Sequence, residues 1–100
     1  MWQRTTPTHV FTLPVDPKLF KEIRITYRQG DSVVLKKKTE DCTIDGNKIM
    51  VNLTQQETGM FDANQNVGIQ MRLMTGSGSV IGSNEIIIKV GKVIDDEVIA

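Results

Sequence analysis

Apolar side chains recur at every second position along most of this chain, and turn-forming residues fill the gaps. The stretch from Glu22 to Gln29 shows this most cleanly: Ile23, Ile25 and Tyr27 alternate with Glu22, Arg24, Thr26 and Arg28. A period of two marks a strand with one dry and one wet face. Antiparallel sheets in two layers tolerate a solvated face, so the alternation predicts that architecture. Further strands are expected at Thr8 to Leu13, Ser32 to Lys38, Cys42 to Ile44, Lys48 to Leu53 and Asn66 to Met74. A last one resumes at Val80-Ile81 and runs from Glu85 to Val90, with Ile86, Ile88 and Val90 inward. His9, Phe11 and Leu13 share one face of the first strand, which Pro7 and Pro14 bound because proline cannot donate to a ladder.

The connections carry their own signals. Gln29-Gly30-Asp31 reads as a three-residue loop that would pair Tyr27 with Val33 and Ile25 with Leu35. Asp45-Gly46-Asn47 is a hairpin turn centred on Asp45-Gly46 or on Gly46-Asn47; both place Cys42 and Ile44 on the face of Ile49 and Val51. Thr75 to Ser79 is a hairpin tip, and Gly82-Ser83-Asn84 suggests a bulge. The period breaks twice. Asp16 can cap a single helical turn begun by Pro17, with Leu19 and Phe20 expected to plug one end of the core. Thr54-Gln55-Gln56-Glu57 reads as a capping box opening a short helix to about Phe61, with Met60 and Phe61 available to the core. The fold expected is all-β: an antiparallel immunoglobulin-like β-sandwich of about seven strands with one or two short helical turns, residues 1–100 forming one domain. A small β-barrel is the second architecture. The Cys–Trp–Cys signature of antibody domains is absent, so only the architecture is expected.

Composition narrows the function. Twelve basic side chains balance twelve acidic ones, a poor footprint for nucleic-acid binding. Lys36-Lys37-Lys38 is read as a solvated strand end that blunts edge pairing. Cys42 is the only cysteine, so no intrachain disulfide forms, which fits a reducing compartment. No apolar run approaches the roughly 20 residues of a membrane helix, and the first residues lack the apolar core of a signal peptide.

Catalytic chemistry is sparse. His9 and Cys42 are far apart in sequence; His9 is read as a histidine at the edge of the core and Cys42 as a small buried hydrophobe. Asp95-Asp96-Glu97 lacks the alternate spacing of a calcium loop and reads as a solvated tail. Gly76-Ser77-Gly78 lacks the lysine and following helix of a phosphate loop. No catalytic, cofactor or metal residue is assigned. Four apolar positions fall outside the expected core, Trp2, Met50, Met74 and Ile87, and form the candidate partner interface; the Val93–Ile99 segment also lies outside it.

Several segments resemble small proteins of about this length encoded in bacterial phage and prophage gene clusters. They are Thr5 to Pro14, Cys42 to Ile49, Leu53 to Thr58, Val67 to Leu73 and the ending Asp95 to Ile99. The resemblance implies a virion or tail-assembly part, often an immunoglobulin-like module, and marks no functional residues. The function expected is a non-enzymatic phage or prophage structural or assembly protein, associated with tail or baseplate and acting through protein–protein contacts. Its partners would be other phage structural proteins or itself as a homo-oligomer, without cofactor, nucleic acid or membrane. It would sit in the bacterial cytoplasm during assembly and then in the virion. The alternative is a carbohydrate or adhesion-type binding module, which wants exposed aromatics; only Trp2 and Tyr27 could serve, and Tyr27 is expected inward.

Overall fold

Pairing between the strands is antiparallel throughout the computed structural model, which describes residues 1–83 and 85–99. Asn84, which the sequence places in the bulge, lies outside the described residues. The strands are β1 (Thr8–Thr12), β2 (Phe20–Gln29), β3 (Ser32–Lys38), β4 (Cys42–Asp45), β5 (Lys48–Asn52), β6 (Asn66–Thr75), β7 (Val80–Gly82) and β8 (Ile86–Lys89). One helix, α1 (Gln55–Gly59), and two 3-10 turns, Pro17–Leu19 and Thr39–Asp41, complete the described elements. No helix among the described residues is long and apolar enough to cross a membrane.

The strands form two sheets. One has the order β1-β5-β4; the other has β3-β2-β6, with β7 and β8 both paired to β6. This is the order of an immunoglobulin-type sandwich in which, among the described residues, no strand flanks β1 on its outer side. The inner rows are aliphatic and aromatic. Ile23, Ile25, Tyr27, Val67, Ile69, Met71 and Leu73 face Ile49 and Val51 across the core, which Leu53, Phe61 and Val90 close at the ends. The two sheets stay separate and each keeps open edges, so the architecture is a sandwich and not a barrel.

Local signals decide the connections. Asp16 accepts from the Lys18 amide at 2.9 Å and Pro17 opens the 3-10 turn, but Pro17 is buried while Leu19 is 68% exposed. A three-residue turn shows only one side to the core, and here that side is the proline, with Phe20 half-buried beside it. The capping box at Thr54 and Glu57 forms: the Thr54 hydroxyl accepts from the Glu57 amide at 3.1 Å, and Glu57 accepts from the Thr54 amide at 2.9 Å. After the helix Phe61 turns inward and Met60 outward. Asp45 pairs with Lys48, so the second hairpin turns on Gly46-Asn47, with Gly46 at φ +58° supplying the left-handed backbone.

The β2–β3 register differs from expectation. The turn is two residues long, because Gln29 pairs with Ser32, and the register shifts between Tyr27 and Arg28. Tyr27 therefore opposes Leu35 and Ile25 opposes Lys37. Val33 is turned to the outer face and exposed, while Lys37 stays on the inner face, opposite Ile25 in place of Ile23. On the far edge, three positions separate Gly82 from Ile86 where only Gln70 and Met71 intervene on β6. One extra residue makes a bulge, and Ser83 anchors it: its amide donates to the Met71 carbonyl at 2.8 Å and its hydroxyl accepts from the Met71 amide at 2.9 Å.

Candidate functional site

Each side of the sandwich is a seam between two sheet edges, and the two seams are built differently. On one side β3 lies over β4. The chain passes between them through the Thr39–Asp41 turn, and the Ile23 amide donates to the Thr39 hydroxyl at 2.8 Å. The Cys42 thiol donates to the Lys38 carbonyl at 3.2 Å. Inside this seam the Lys37 ammonium meets the Glu57 carboxylate of α1 at 2.7 Å, with side chains only 11% and 20% exposed. Partial burial alone would raise the Glu57 carboxyl. The Lys37 hydrogen bond, the Thr54 amide, the Lys37 charge and the Thr54 hydroxyl together hold it below its ordinary value. The middle lysine of the basic run is thus an internal ion pair, not a solvated strand end.

On the other side β1 faces β8 and β7; the N-terminal residues bond to Lys89 and Gly91 at one end, and among the described residues no ion pair closes the rest of the gap. Three adjoining hollows run along it. The first, about 310 Å³, lies among Met1, His9, Phe11, Ile86 and Ile88. The second, about 210 Å³, is bounded by Phe11, Leu13, Ile69, Met71 and Ile86. The third, about 200 Å³, is bounded by Leu13, Val15, Phe20, Met71, Leu73 and Ile81. Ile86 points to the inner side, as the alternation predicts, opposite Ile69, yet is 48% exposed because no described strand covers it.

The edges of the two seams differ in charge. β3 carries Lys36, Lys37 and Lys38, and β4 ends on Asp45 after Asp41. β1 carries no charged side chain, nor does β7, and β8 has only the terminal Lys89. Proteins normally protect exposed edges with charge, proline or bulges. Here Pro7 and Pro14 flank β1 but leave its middle bare, and the Ser83 bulge divides β7 from β8.

His9 sits at the mouth of the open seam. Its Nδ1 and the Tyr27 hydroxyl are 2.7 Å apart, and the rings stack at 5.6 Å, so this polar pair joins the sheets through the core. Burial, and then the N-terminal ammonium, push the His9 imidazole below its ordinary value. Burial first, then Cys42 and Glu57, push the Tyr27 phenol up. His9 and Cys42 both pair with Val51, from opposite sides. Two strand spacings, about 10 Å, separate them, so they are outside hydrogen-bond reach of each other. Burial, followed by Asp41, raises the Cys42 thiol above its ordinary value despite Lys37. A protonated thiol bound to a carbonyl is a poor nucleophile.

The four candidate interface residues fall in separate places. Trp2 is 63% exposed and covers Gly91 just past β8, beside a hollow of about 520 Å³ that includes Asn64, Lys89 and Lys92. Ile87 is 53% exposed on the outer face of the larger sheet, opposite Gly68. Met74 is half-buried on that same face between Glu22 and Val80, six positions along β6 from Gly68, or about 20 Å at the strand rise. Met50 is half-buried on the outer face of the other sheet, between Val10 and Thr43. Trp2 and Ile87 thus share one side of the molecule, and Met50 and Met74 stand apart from them.

One arrangement is not visible in the sequence pattern. Arg24 pairs with Lys38 and with Arg72, so a cationic row crosses the outer face of the larger sheet near Lys36 and Arg28. On that face Arg28 holds Glu85 across Gly68, whose missing Cβ leaves room for the pair; the Arg28 hydrogen bond, above all, keeps the Glu85 carboxyl below its ordinary value. The ends of the chain also fold back. The Gln3 amide donates to the Gly91 carbonyl at 3.1 Å, Arg4 pairs with Asp96 at 2.9 Å, and the Gln55 side chain both donates to and accepts from the Ile99 backbone at 2.8 Å. No protein-family model, curated protein or solved structure matches this chain.

Proposed function

We propose that this chain is a non-enzymatic assembly module that works by protein–protein contact. The observation that carries the reading is the open seam: an apolar channel bounded by edges whose single charged residue is the terminal Lys89, in a sandwich whose opposite seam is closed by an internal ion pair. Contiguous exposed apolar surface of this kind marks interaction sites on soluble domains. The titratable groups support the same reading, because His9 and Cys42 are each spent on a structural hydrogen bond. The resemblance of its segments to phage and prophage proteins supplies the setting, a tail or baseplate. Induction of a prophage in the source bacterium, followed by purification of particles and quantitative mass spectrometry, tests that setting. The chain is expected at a fixed ratio to tail proteins; its absence from particles and from tail-assembly intermediates contradicts the proposal.

A second reading rests on Trp2. An exposed indole beside Asn64, Lys89 and Lys92 is the kind of apolar platform with polar neighbours that a sugar ring uses. Binding of cell-wall glycans that disappears in Trp2→Ala supports it, and a silent glycan array removes it.

A further inference from the structure

We infer that the open seam accepts one extended segment of another polypeptide, laid along the outer side of β1 as an added strand of the sandwich. The inference rests on the assembly reading and names its mode: strand addition at a sheet edge.

Backbone geometry comes first. The Leu13 amide donates to Asn47 at 2.8 Å and the Leu53 amide donates to Pro7 at 3.0 Å. In an antiparallel ladder hydrogen-bonded pairs alternate with non-bonded ones. The register His9–Val51 and Phe11–Ile49 continues the bonded series. The amides and carbonyls of Thr8, Val10 and Thr12 therefore turn to the open side, where no other described strand pairs with β1. An extended backbone running beside β1 can bond to these groups in sequence.

Side-chain spacing comes second. Successive hollows share Phe11, then Leu13 and Met71. They advance along β1 by two residues at a time, about 7 Å, which is the distance between alternate side chains of a strand. A segment running beside β1 would place residues i, i+2 and i+4 in the three hollows.

Charge comes third. No Asp, Glu, Lys or Arg side chain lines any of the three hollows. The Met1 ammonium at one end is turned to the Lys89 carbonyl at 2.9 Å. An occupant must therefore be apolar at the alternate positions, because a carboxylate or ammonium there would be desolvated without a partner. The chain's own last segment fails this requirement, since Asp95, Asp96 and Glu97 interrupt both of its alternating rows. The partner chemistry is a foreign segment with three apolar residues at every second position. The chain's own N-terminus does not take that place: Trp2 is bridged in parallel to Gly91 past β8, and not to β1.

The test uses the full chain, labelled with 15N, and two synthetic peptides. The peptide KTVTITVTK alternates; KTTTVIVTK has the same composition without alternation. The alternating peptide is expected to reach half-saturation below about 1 mM and to slow amide exchange at Val10 and Thr12. Ile86→Glu and Val10→Pro should each weaken it at least tenfold. The proline removes the outward amide while sparing the pairing to β5, and Ile86 is exposed enough for its variant to fold. Lys36→Glu, on the opposite seam, should change binding less than twofold. Equal binding of the two peptides overturns the inference, as does protection confined to β3 or β4. So does the absence of binding to a chain that stays monomeric. Protection of Val10 and Thr12 that grows with the protein's own concentration, without peptide binding, assigns the edge to a second copy. That result overturns the inference and leaves the assembly reading intact.

Discussion

The two seams of the sandwich contain the same kind of material, edge strands above an aliphatic core, and reach opposite outcomes. At the β3–β4 seam the strand alternation points Lys37 inward opposite Ile25, α1 brings Glu57 to it, and the Thr39–Asp41 turn carries the chain from one sheet to the other. At the β1–β8 seam no described strand flanks β1, and the edges carry threonine, valine and isoleucine. The first seam uses charge for stability, with the ion pair shielded and its helix capped. The second leaves apolar area uncovered, which adds little stability to the isolated chain but is available to a partner. Substitutions should therefore separate: those at the closed seam alter unfolding, and those at the open seam alter binding.

The largest effect is expected from Lys37→Ala, which leaves Glu57 largely buried without its cation. Urea unfolding should show a loss of about 3 kcal/mol, and the paired change Lys37→Met with Glu57→Gln should recover most of it. Tyr27→Phe comes next: it removes the partner of His9 in the core and should cost about 1–2 kcal/mol. Thr54→Ala removes the helix cap while leaving the ion pair in place, and about 1 kcal/mol is expected. Ile86→Lys at the open seam should stay within about 0.5 kcal/mol of the parent. A loss there as large as that of Lys37→Ala would erase the distinction between the seams.

Acid should resolve the two sides as well. His9 has a lowered folded value, so the unfolded chain binds the extra proton more readily. Stability should fall as pH drops from about 6.5 to the folded value of His9, then level off. Glu57 is also lowered, and its contribution is present above the ordinary glutamate range and lost as pH falls below it toward the folded value. Unfolding curves from pH 8 to 3 should show both phases; His9→Gln should remove the upper one and Glu57→Gln the lower one.

Much of this was legible in the sequence. The alternating rows, the capping box at Thr54, the Asp16–Pro17 turn and the bulge after Gly82 depend on local chemistry, and local chemistry is what a sequence displays. The register of β2 and β3 was not legible, since one bulge residue decides whether Leu35 or Val33 opposes Tyr27 and so whether Val33 is wet or dry. The seam was hidden for another reason. Thr8 to Thr12 and Ile86 to Ile88 look like ordinary strands until the strand order makes both of them edges. Scanning for outward apolar residues found Ile87 but missed Ile86, which points inward and is exposed because no described strand covers it.

Amide hydrogen exchange on the chain alone, at two protein concentrations tenfold apart, tests the open seam most directly. The account predicts slow exchange at His9, Phe11 and Leu13, whose amides face β5, and fast exchange at Thr8, Val10 and Thr12 at both concentrations. Val10 and Thr12 protected as strongly as His9 and Phe11 in the dilute sample would contradict it, because the edge would then already be covered by the chain itself.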